Sequence, residues 1–197
     1  MIANDRDYLL IREITQGNEA ALVRLMEYYK ESVFHFVYRY LGNEADCSEV
    51  TEEIFFRVFQ KAGTYSRRAT VKTWIFSIAL NLSRDRLRRR KKHRNQISLD
   101  ETINEWESQF PLIETIASSS PDPQSELRVS ETLLFLNTKI QGLPDKLKLP
   151  FIFCVMENHS YDECASIIRA SRKTVETRIY RARKLLKGLL TEFFGKV

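Results

Sequence analysis

The spacing of apolar residues is the feature that most limits what this chain can fold into. Through most of the sequence they recur at steps of three and four, the period of one face of an α-helix. Alternation at every second residue is scarce, and only six of the 197 residues are glycine. We therefore predict an all-α fold. The predicted helices are Asp7–Thr15, Glu19–Leu41, Asp46–Ala62, Val71 to about Lys92, Gln124–Ile140, Pro150 to about Glu157, Tyr161–Ile168 and a last helix that follows Ser171.

Residues that favour helix ends support these boundaries. Asp46 and Glu49 fit a capping-box-like start for the third helix. Pro150 suits the first turn of a helix, where its missing N–H costs nothing. Ser160 and Ser171 are well placed to cap the last two helices.

Charge is arranged in blocks along the chain. The segment Arg84–Arg94 contains eight Lys/Arg and one acid, and the segment Arg169–Lys187 also contains eight Lys/Arg and one acid. Between them, seven acids face one base over Asn95–Arg128, a stretch that also holds the sequence SSSPDP. Segregated signs indicate separate electrostatic tasks, and the two basic blocks suit a polyanionic partner. We predict two small helical domains, 1–94 and 128–197, joined by an acidic linker over 95–127.

The three cysteines, Cys47, Cys154 and Cys164, are too scattered for a disulfide framework or a paired metal site. The N-terminus lacks a basic start followed by a long apolar core, so no signal peptide is evident. No apolar run approaches the ~20 residues that span a bilayer. We expect a cytoplasmic protein without membrane insertion.

The segment from Tyr161 to Lys187 has the pattern of a helix-turn-helix. A two-turn helix with Cys164, Ala165 and Ile168 inward is followed by a three-residue turn. The next helix has one apolar and one polar face. The apolar face holds Val175, Ile179, Ala182, Leu186 and Leu189, and the polar face Lys173, Thr177, Tyr180, Arg181 and Lys184. The polar set contains side-chain types that contact phosphate and base edges in the major groove. A basic helix packed in a bundle is the alternative.

The helix from Val71 carries a narrow polar stripe within an apolar stretch. Its members step by four, four, three and four: Thr73, Ser77, Asn81, Arg84 and Arg88. The stripe widens into the first basic block, whose side chains suit backbone phosphate. Trp74 lies beside it, and the residues alone leave base stacking and a core role equally open for this side chain.

Both halves resemble one family. The C-terminal stretches YDECASII and TVETRIYRARKLL resemble the fourth conserved region of bacterial sigma-70 factors, especially the small extracytoplasmic-function (ECF) group. Upstream, NEADCSEVTEEIFFRVFQK resembles the family helix that docks on polymerase, and KTWIFSIALNLSRDRLRRRKK the helix that melts and reads the −10 element. The resemblance covers about 10–93 and 125–190. It implies that domain 1–94 is region 2-like and that domain 128–197 is region 4-like.

The resemblance implies core RNA polymerase and promoter DNA as partners, and restraint by an anti-sigma factor. It places Asn81 and the loop Gly63–Thr70 where the family holds an unstacked base, whose extrusion costs a few kcal/mol. The candidate DNA-binding residues are Arg172, Lys173, Thr174, Glu176, Thr177, Arg178, Tyr180, Arg181 and Lys184, with Lys72, Thr73, Trp74, Ser77, Asn81, Arg84 and Arg88. The candidate polymerase-docking residues are Asp46, Glu49, Val50, Glu52, Glu53 and Phe56, for which a plain solvated acidic face is the alternative.

Three residues depart from the family pattern. Arg169 stands in the turn where glycine is usual, which raises the conformational cost of that turn. Glu176 stands at a reading position that is often basic, and glutamate accepts a hydrogen bond from cytosine N4. Glu52 stands where glutamine is common. These departures affect promoter sequence and individual contacts.

Other classes of function fit less of the sequence. The three histidines are far apart, and no metal-ligand or nucleophile motif is present, so we predict no enzyme, metal or cofactor. A stand-alone helix-turn-helix regulator shares the C-terminal motif but leaves the helix from Val71 unexplained. RNA binding by the basic run is a third possibility.

Overall fold

A computed structural model describes residues 2–97 and 135–194, and within those ranges it contains helices and turns but no strand. The all-α prediction is confirmed. The predicted linker lies outside the described residues except for its first three positions, which belong to a helix. The predicted helix over Gln124–Ile140 is described only from residue 135 onward.

Four helices form the N-terminal half. They are α1 (Ile2–Thr15), α2 (Glu19–Leu41), α3 (Glu44–Lys61) and α4 (Val71–Ile97), with a 3₁₀ turn over Ala62–Thr64. Asn18 caps α2, and Gly42 ends it in the left-handed region at φ 70°. The predicted start of α3 was wrong, because Asn43 caps this helix by accepting a hydrogen bond from the backbone N–H of Asp46 at 2.9 Å. The helix α4 continues past Lys92 to Ile97, so the predicted boundary at 94/95 lies inside a helix.

The C-terminal half begins with a short helix over 135–141 (α5). It continues with α6 (Asp145–Phe151), a π turn over Ile152–Met156, α7 (Tyr161–Ile168) and α8 (Arg172–Phe194). Pro150 lies near the end of α6 rather than in a first turn, so that prediction was wrong. Proline lacks the N–H that a continuing α-helix needs, and the wider π turn follows directly.

Each half buries the apolar stripe of its helices. In the N-terminal half, α2 packs against α1, α3 and α4. The fully buried side chains there include Leu25, Phe36, Tyr40, Ile54, Ile75 and Phe76. In the C-terminal half, α8 packs against α6 and α7 over Val175, Ile179, Ala182 and Leu186. Burial of such stripes supplies the main driving force for a helical domain.

The two halves also pack on each other. The helix α4 contacts α7, and α2 contacts the π turn. Phe76 of α4 meets Phe153 edge-to-face, with ring centroids 5.4 Å apart. This contact brings the start of the C-terminal helix pair over one face of α4.

Candidate nucleic-acid interface

The first helix of the C-terminal pair begins in a complete capping box. The Ser160 hydroxyl accepts a hydrogen bond from the backbone N–H of Glu163 at 3.1 Å. In return, the backbone N–H of Ser160 donates to the Glu163 carboxylate at 2.9 Å. The prediction that Ser160 caps α7 is therefore confirmed, and Glu163 adds a second bond that fixes where this helix starts.

The turn between α7 and α8 passes through a left-handed residue. Arg169 has φ 51° and ψ 52°, and its backbone N–H donates to the Ala165 carbonyl. This is the position that favours glycine, so the arginine is held there at a conformational cost. Ser171 then caps α8, since its hydroxyl accepts from the backbone N–H of Thr174 at 3.2 Å, as predicted.

The two helices pack through small and branched side chains. Cys164 and Ala165 of α7 are buried, as are four of the five residues predicted for the apolar face of α8. The exceptions to the predicted inward set are Ile168 and Leu189, which are half-buried. The small side chain of Ala165 lets the helices cross closely, which sets how far α8 projects from the domain.

The opposite face of α8 is open to solvent. Lys173, Thr177, Tyr180, Arg181 and Lys184 are all exposed, and Tyr180 retains 68% of its accessible surface. A helix with basic and hydrogen-bonding side chains along one free face is suited to the major groove of DNA.

The N-terminal end of α8 is less open than the sequence suggested. Arg172 makes ion pairs with Asp162 at 3.1 Å and with Glu176 at 3.3 Å. The Glu176 carboxylate is therefore already engaged on the free protein surface. Thr174 and Arg178 are half-buried, and Thr174 shares a hydrogen bond with Ser171. To contact DNA, Arg172, Thr174 and Glu176 would have to exchange or extend these contacts.

A second candidate surface is a cavity of about 590 Å³ beside α4. Residues from α4 and from the loop after α3 line one side of it, namely Tyr65, Arg68, Thr73, Trp74, Ser77, Asn81 and Arg84. The structure thus brings together most of the predicted polar stripe and the predicted loop. The sequence did not predict the opposite wall, which consists of Ser166, Ile167, Ile168 and Arg169 from α7 and its turn.

The side chains of the stripe differ in their freedom. Thr73 is buried and shares a hydrogen bond with Thr70 at 2.9 Å, whereas Asn81 is exposed. Trp74 is half-buried and contacts Tyr65, with ring centroids 5.2 Å apart at 47°. Trp74 therefore combines a face packed against Tyr65 with a surface that lines the cavity.

The basic end of α4 is partly paired. Arg84 donates to the Asp145 carboxylate of α6 from Nη2 at 3.0 Å and from Nε at 3.2 Å. Arg88 is well exposed and lies 3.4 Å from Asp85, while Lys72 is half-buried near the start of the helix. Exposed ion pairs of this kind contribute about 0–1 kcal/mol to stability, so these side chains are only weakly held in their present positions.

The acidic face of α3 divides into two parts. Asp46 and Glu49 pair with Arg86 at 2.6 and 2.5 Å, and these pairs tie α3 to α4. Glu52 and Phe56 are exposed, and Glu53 pairs with Arg57. Val50 is only 3% exposed, so its side chain packs inside the domain rather than on the open face of α3.

Metal-binding clusters and membrane-spanning helices are both absent from the described ranges. No group of three metal-binding side chains comes together within 2–97 and 135–194. No helix in those same ranges is long and apolar enough to cross a bilayer. The three cysteines are buried free thiols.

Comparison with family models matches both halves of the chain. Residues 25–93 match sigma-70 region 2, and residues 136–186 match sigma-70 region 4. The chain is also similar to curated proteins over nearly its full length. It is 27% identical over 182 residues to the ECF RNA polymerase sigma factor SigW of Bacillus subtilis strain 168, which covers 92% of this chain and 95% of that protein. It is 25% identical to the ECF RNA polymerase sigma-E factor of Haemophilus influenzae, over 92% of this chain and 94% of that protein.

Two solved structures share the fold. CnrH in complex with the cytosolic domain of CnrY superposes with a TM-score of 0.65 at 19% identity, over 95% of this chain and 99% of that one. The sigma factor RpoE in complex with the anti-sigma factor NepR from Bartonella quintana gives a TM-score of 0.63 at 15% identity, over 85% and 95% of the two chains.

Proposed function

Because this chain belongs to the ECF group of the sigma-70 family, we propose that it binds core RNA polymerase and directs initiation at promoters by recognising −35 and −10 DNA. The observation that carries the proposal is that each matched region has its own candidate nucleic-acid surface. Region 4 presents the exposed face of α8, and region 2 presents the polar and aromatic cavity beside α4.

The exposed face of α8 reads the −35 element in this proposal. Lys173, Thr177 and Arg181 lie along it without burial, at the spacing that keeps side chains on one face of a helix. Arg181 and Lys184 supply guanidinium and ammonium donors for guanine edges or phosphate, and Tyr180 adds an exposed hydroxyl. Glu176 selects among bases by accepting from cytosine N4 once Arg172 moves to phosphate.

The cavity beside α4 receives an unstacked base of the −10 element. Trp74 offers an aromatic surface and Asn81 an amide with two donors and an acceptor, which suits the edge of a base. Lys72, Arg84 and Arg88 supply positive charge to the neighbouring backbone. Thr73 and Ser77 contribute chiefly by stabilising α4 rather than by contacting the base. Their hydroxyls are already engaged in hydrogen bonds with Thr70 and with the Trp74 carbonyl.

The exposed part of α3 docks on polymerase. Glu52, Glu53 and Phe56 combine two carboxylates with an apolar side chain that is 57% exposed. Aromatic side chains are enriched in the centres of protein interfaces, and carboxylates around such an anchor complement a basic partner surface. Asp46 and Glu49 serve this surface indirectly through their pairs with Arg86. We also propose an anti-sigma partner, as in the RpoE–NepR structure, and a cytoplasmic location, where polymerase acts.

Run-off transcription with purified core polymerase tests the proposal. We expect specific transcripts only when the chain is added, on templates selected by binding to the reconstituted holoenzyme. Equal initiation by the core alone would refute it. A tight, specific footprint by the chain without polymerase would favour the stand-alone helix-turn-helix regulator.

The Asn81→Ala variant tests whether Asn81 acts in base capture during promoter opening or in the initial binding of the promoter. We expect the variant to form the closed promoter complex normally but to open it less, as followed by permanganate reactivity of unpaired thymines. Gln60→Ala removes an exposed amide from α3, outside the predicted sites, and serves as the control. Equal loss of closed-complex binding and of opening would argue against base capture by Asn81.

A further inference from the structure

The loop after α3 contacts two different parts of the molecule. Five of its residues line the cavity beside α4, namely Thr64, Tyr65, Ser66, Arg68 and Ala69. The side chain of Arg67 lies instead on α1, where its guanidinium is 3.7 Å from the centre of the Tyr8 ring and 3.3 Å from the Asp5 carboxylate. The two adjacent arginines of the loop therefore differ, since Arg68 lines the cavity and Arg67 contacts the first helix.

The backbone of Arg67 adopts a conformation that is unfavourable for arginine. Its φ is 51°, in the left-handed region, where a residue with a Cβ is strained. Such a conformation persists only where the surrounding structure holds it. The contacts with Asp5 and Tyr8 fix the guanidinium at the point where the loop bends. The shape of the loop therefore depends on α1.

The two arms of the loop are joined on either side of this bend. The Tyr65 hydroxyl donates a hydrogen bond to the Ala69 carbonyl at 2.6 Å, and the Tyr65 ring packs on Trp74 with centroids 5.2 Å apart. The backbone N–H of Thr73 donates to the Thr70 hydroxyl at 3.1 Å, which ties the end of the loop to the start of α4. A movement of the bend is therefore passed to Tyr65 and Trp74, which line the cavity.

The helix α1 is a firm support for these contacts. Its apolar side chains Leu10, Ile11 and Ile14 are at most 5% exposed. Asp7 is buried and accepts a hydrogen bond from the Tyr29 hydroxyl of α2. Burial, together with this bond, raises the pKa of Tyr29, so the hydroxyl remains a donor. Because α1 is anchored on α2, it can hold the loop in one place.

The contacts of Arg67 with α1 are open to solvent. The side chains of Arg67 and Asp5 are exposed, and Tyr8 is half-buried. Exposed ion pairs and exposed cation–π contacts each stabilise a structure only modestly. Loss of these contacts should therefore loosen the loop without unfolding the helices around it.

From these observations, and resting on the proposed function, we propose that Arg67 is a positioning residue for base capture. Asp5, Tyr8 and Arg67 form a clamp that holds the loop against α1 and so sets the shape of the cavity that receives the unstacked base. Arg67 itself does not contact the base. The helix α1 then determines how strictly the captured base is selected, although none of the predicted DNA-binding residues belongs to it.

Limited trypsin digestion of the full chain tests whether the clamp holds the loop. Tyr8→Ala removes the ring beneath the guanidinium but keeps Arg67 and Arg68 as cleavage sites. Where opening and closing are fast, the rate of cleavage follows the population of the open loop. We expect cleavage at these two sites, followed by mass spectrometry, to rise by about two- to fivefold in this variant, which corresponds to the loss of an exposed cation–π contact.

Three further tyrosine variants make this comparison specific. Tyr8→Phe keeps a ring for the guanidinium and should be cleaved like the parent. Tyr28→Ala removes a ring of α2 that lies 3.8 Å from the Arg6 guanidinium of α1, a contact that does not involve the loop, and should also be cleaved like the parent. Tyr8→Leu keeps an apolar side chain for packing but offers no ring, and it replaces Tyr8→Ala if circular dichroism shows that the alanine variant does not fold. Parent-like cleavage of the folded Tyr8 variant without a ring, or an equal rise in Tyr28→Ala, overturns the clamp.

Promoter opening by the reconstituted holoenzyme tests the positioning role. Templates that differ at single positions of the −10 element give, for each position, the ratio of opening between the best base and the other three. Opening is measured by permanganate reactivity at the remaining thymines. The captured position is the one where Asn81→Ala removes this preference. We expect Tyr8→Ala to reduce the ratio at that position by about two- to fivefold and to leave the closed-complex affinity unchanged, whereas Tyr8→Phe keeps the ratio of the parent.

Variants of Arg67 are measured in the same way. Arg67→Lys keeps a cation for Asp5 and Tyr8 and should retain most of the preference, whereas Arg67→Ala should reduce it as Tyr8→Ala does. A uniform loss of opening with every base would mean that Arg67 supplies only charge or stability, and it overturns the proposal. If no position depends on Asn81, base capture in the proposed function is overturned instead, and the trypsin comparison then decides the clamp by itself.

Discussion

Arg169, in the turn of the helix-turn-helix, adopts a backbone conformation that is unfavourable for arginine but not for glycine. Arg169 has φ 51°, a region that costs a non-glycine residue about 1–2 kcal/mol. Glycine also has more conformational freedom in the unfolded chain, and this offsets about 0.5–1 kcal/mol of the stability gained by removing the strain. We expect Arg169→Gly to raise the free energy of unfolding by about 1 kcal/mol or less, measured by urea denaturation. Arg169→Ala keeps the strain and is the control, so a similar gain in that variant would contradict the explanation.

His159 should make the stability of the chain depend on pH. Burial, with a smaller contribution from the charge of Lys72, lowers the pKa of His159 to about 4, although Glu163 opposes the shift. Both ring nitrogens lack a hydrogen-bond partner among the described residues. In the unfolded chain His159 takes up a proton near pH 6.5. In the folded chain burial disfavours the protonated form, so His159 stays neutral to lower pH. The stability contributed by neutral His159 is therefore complete above pH 6.5 and is lost as pH falls towards 4, by about 3 kcal/mol.

The measurement is the urea unfolding free energy between pH 7 and 5. His159→Phe preserves an aromatic ring against Phe153 but cannot titrate, so its stability should fall less than that of the parent over this range. His35→Gln removes a histidine that is exposed rather than buried and serves as the control. Parallel slopes for the parent and His159→Phe would rule out His159 as the source.

Single residues also show where sequence reasoning reaches its limit. Ser160 and Ser171 were predictable as caps because capping depends on neighbours a few positions away. The burial of Val50 and the pairing of Arg84 with Asp145 were not, because both depend on packing between distant segments. The ion pair between Arg172 and Glu176 lay within reach, since an i, i+4 spacing of opposite charges on a helix predicts it.

At the scale of the element, α8 separates a structural face from a reading face. Arg181→Ala should weaken promoter binding by the holoenzyme by about 1–3 kcal/mol if the guanidinium contacts a base. Lys187→Ala removes an exposed cation of the same helix from outside the predicted set and is the matched control. Filter binding over a salt series measures both. Equal small losses in the two variants would show that Arg181 contributes only general charge.

Helix boundaries show which local signals prevail. Both ends of α2 were predicted correctly, because glycine at its C-terminus adopts a left-handed conformation that most residues avoid. The start of α3 was misplaced because Asp46 and Glu49 matched a capping box, whereas the side chain of Asn43 caps this helix. The prediction that Pro150 lies in the first turn of a helix was also wrong, because proline is tolerated near the end of a helix that widens into a π turn.

At the scale of the whole molecule, the contact between the halves had no counterpart in the sequence analysis. Periodicity can relate Phe36, Phe76 and Phe153 only to faces of their own helices, and all three side chains are buried. It does not say that the three rings share one cluster. The charge blocks suggested two separate domains, yet Asp145 and Glu157 in the second half pair with cations in the first. The sequence shows which charges each half carries, but it does not show which groups of the other half lie opposite them.

This shared cluster makes a prediction about cooperativity. If it joins the halves into one unit, the free chain should unfold in a single calorimetric transition, with equal calorimetric and van't Hoff enthalpies. Phe153→Ala removes the ring that both halves contact, at a cost of about 3–5 kcal/mol, and should split the transition in two. Ile179→Ala destabilises the C-terminal half from the face of α8 that packs on α6 and α7, so it should lower the midpoint but keep one transition. Two transitions in the parent chain would mean that each half melts independently and that the cluster of Phe36, Phe76 and Phe153 does not couple them, although all three rings are buried.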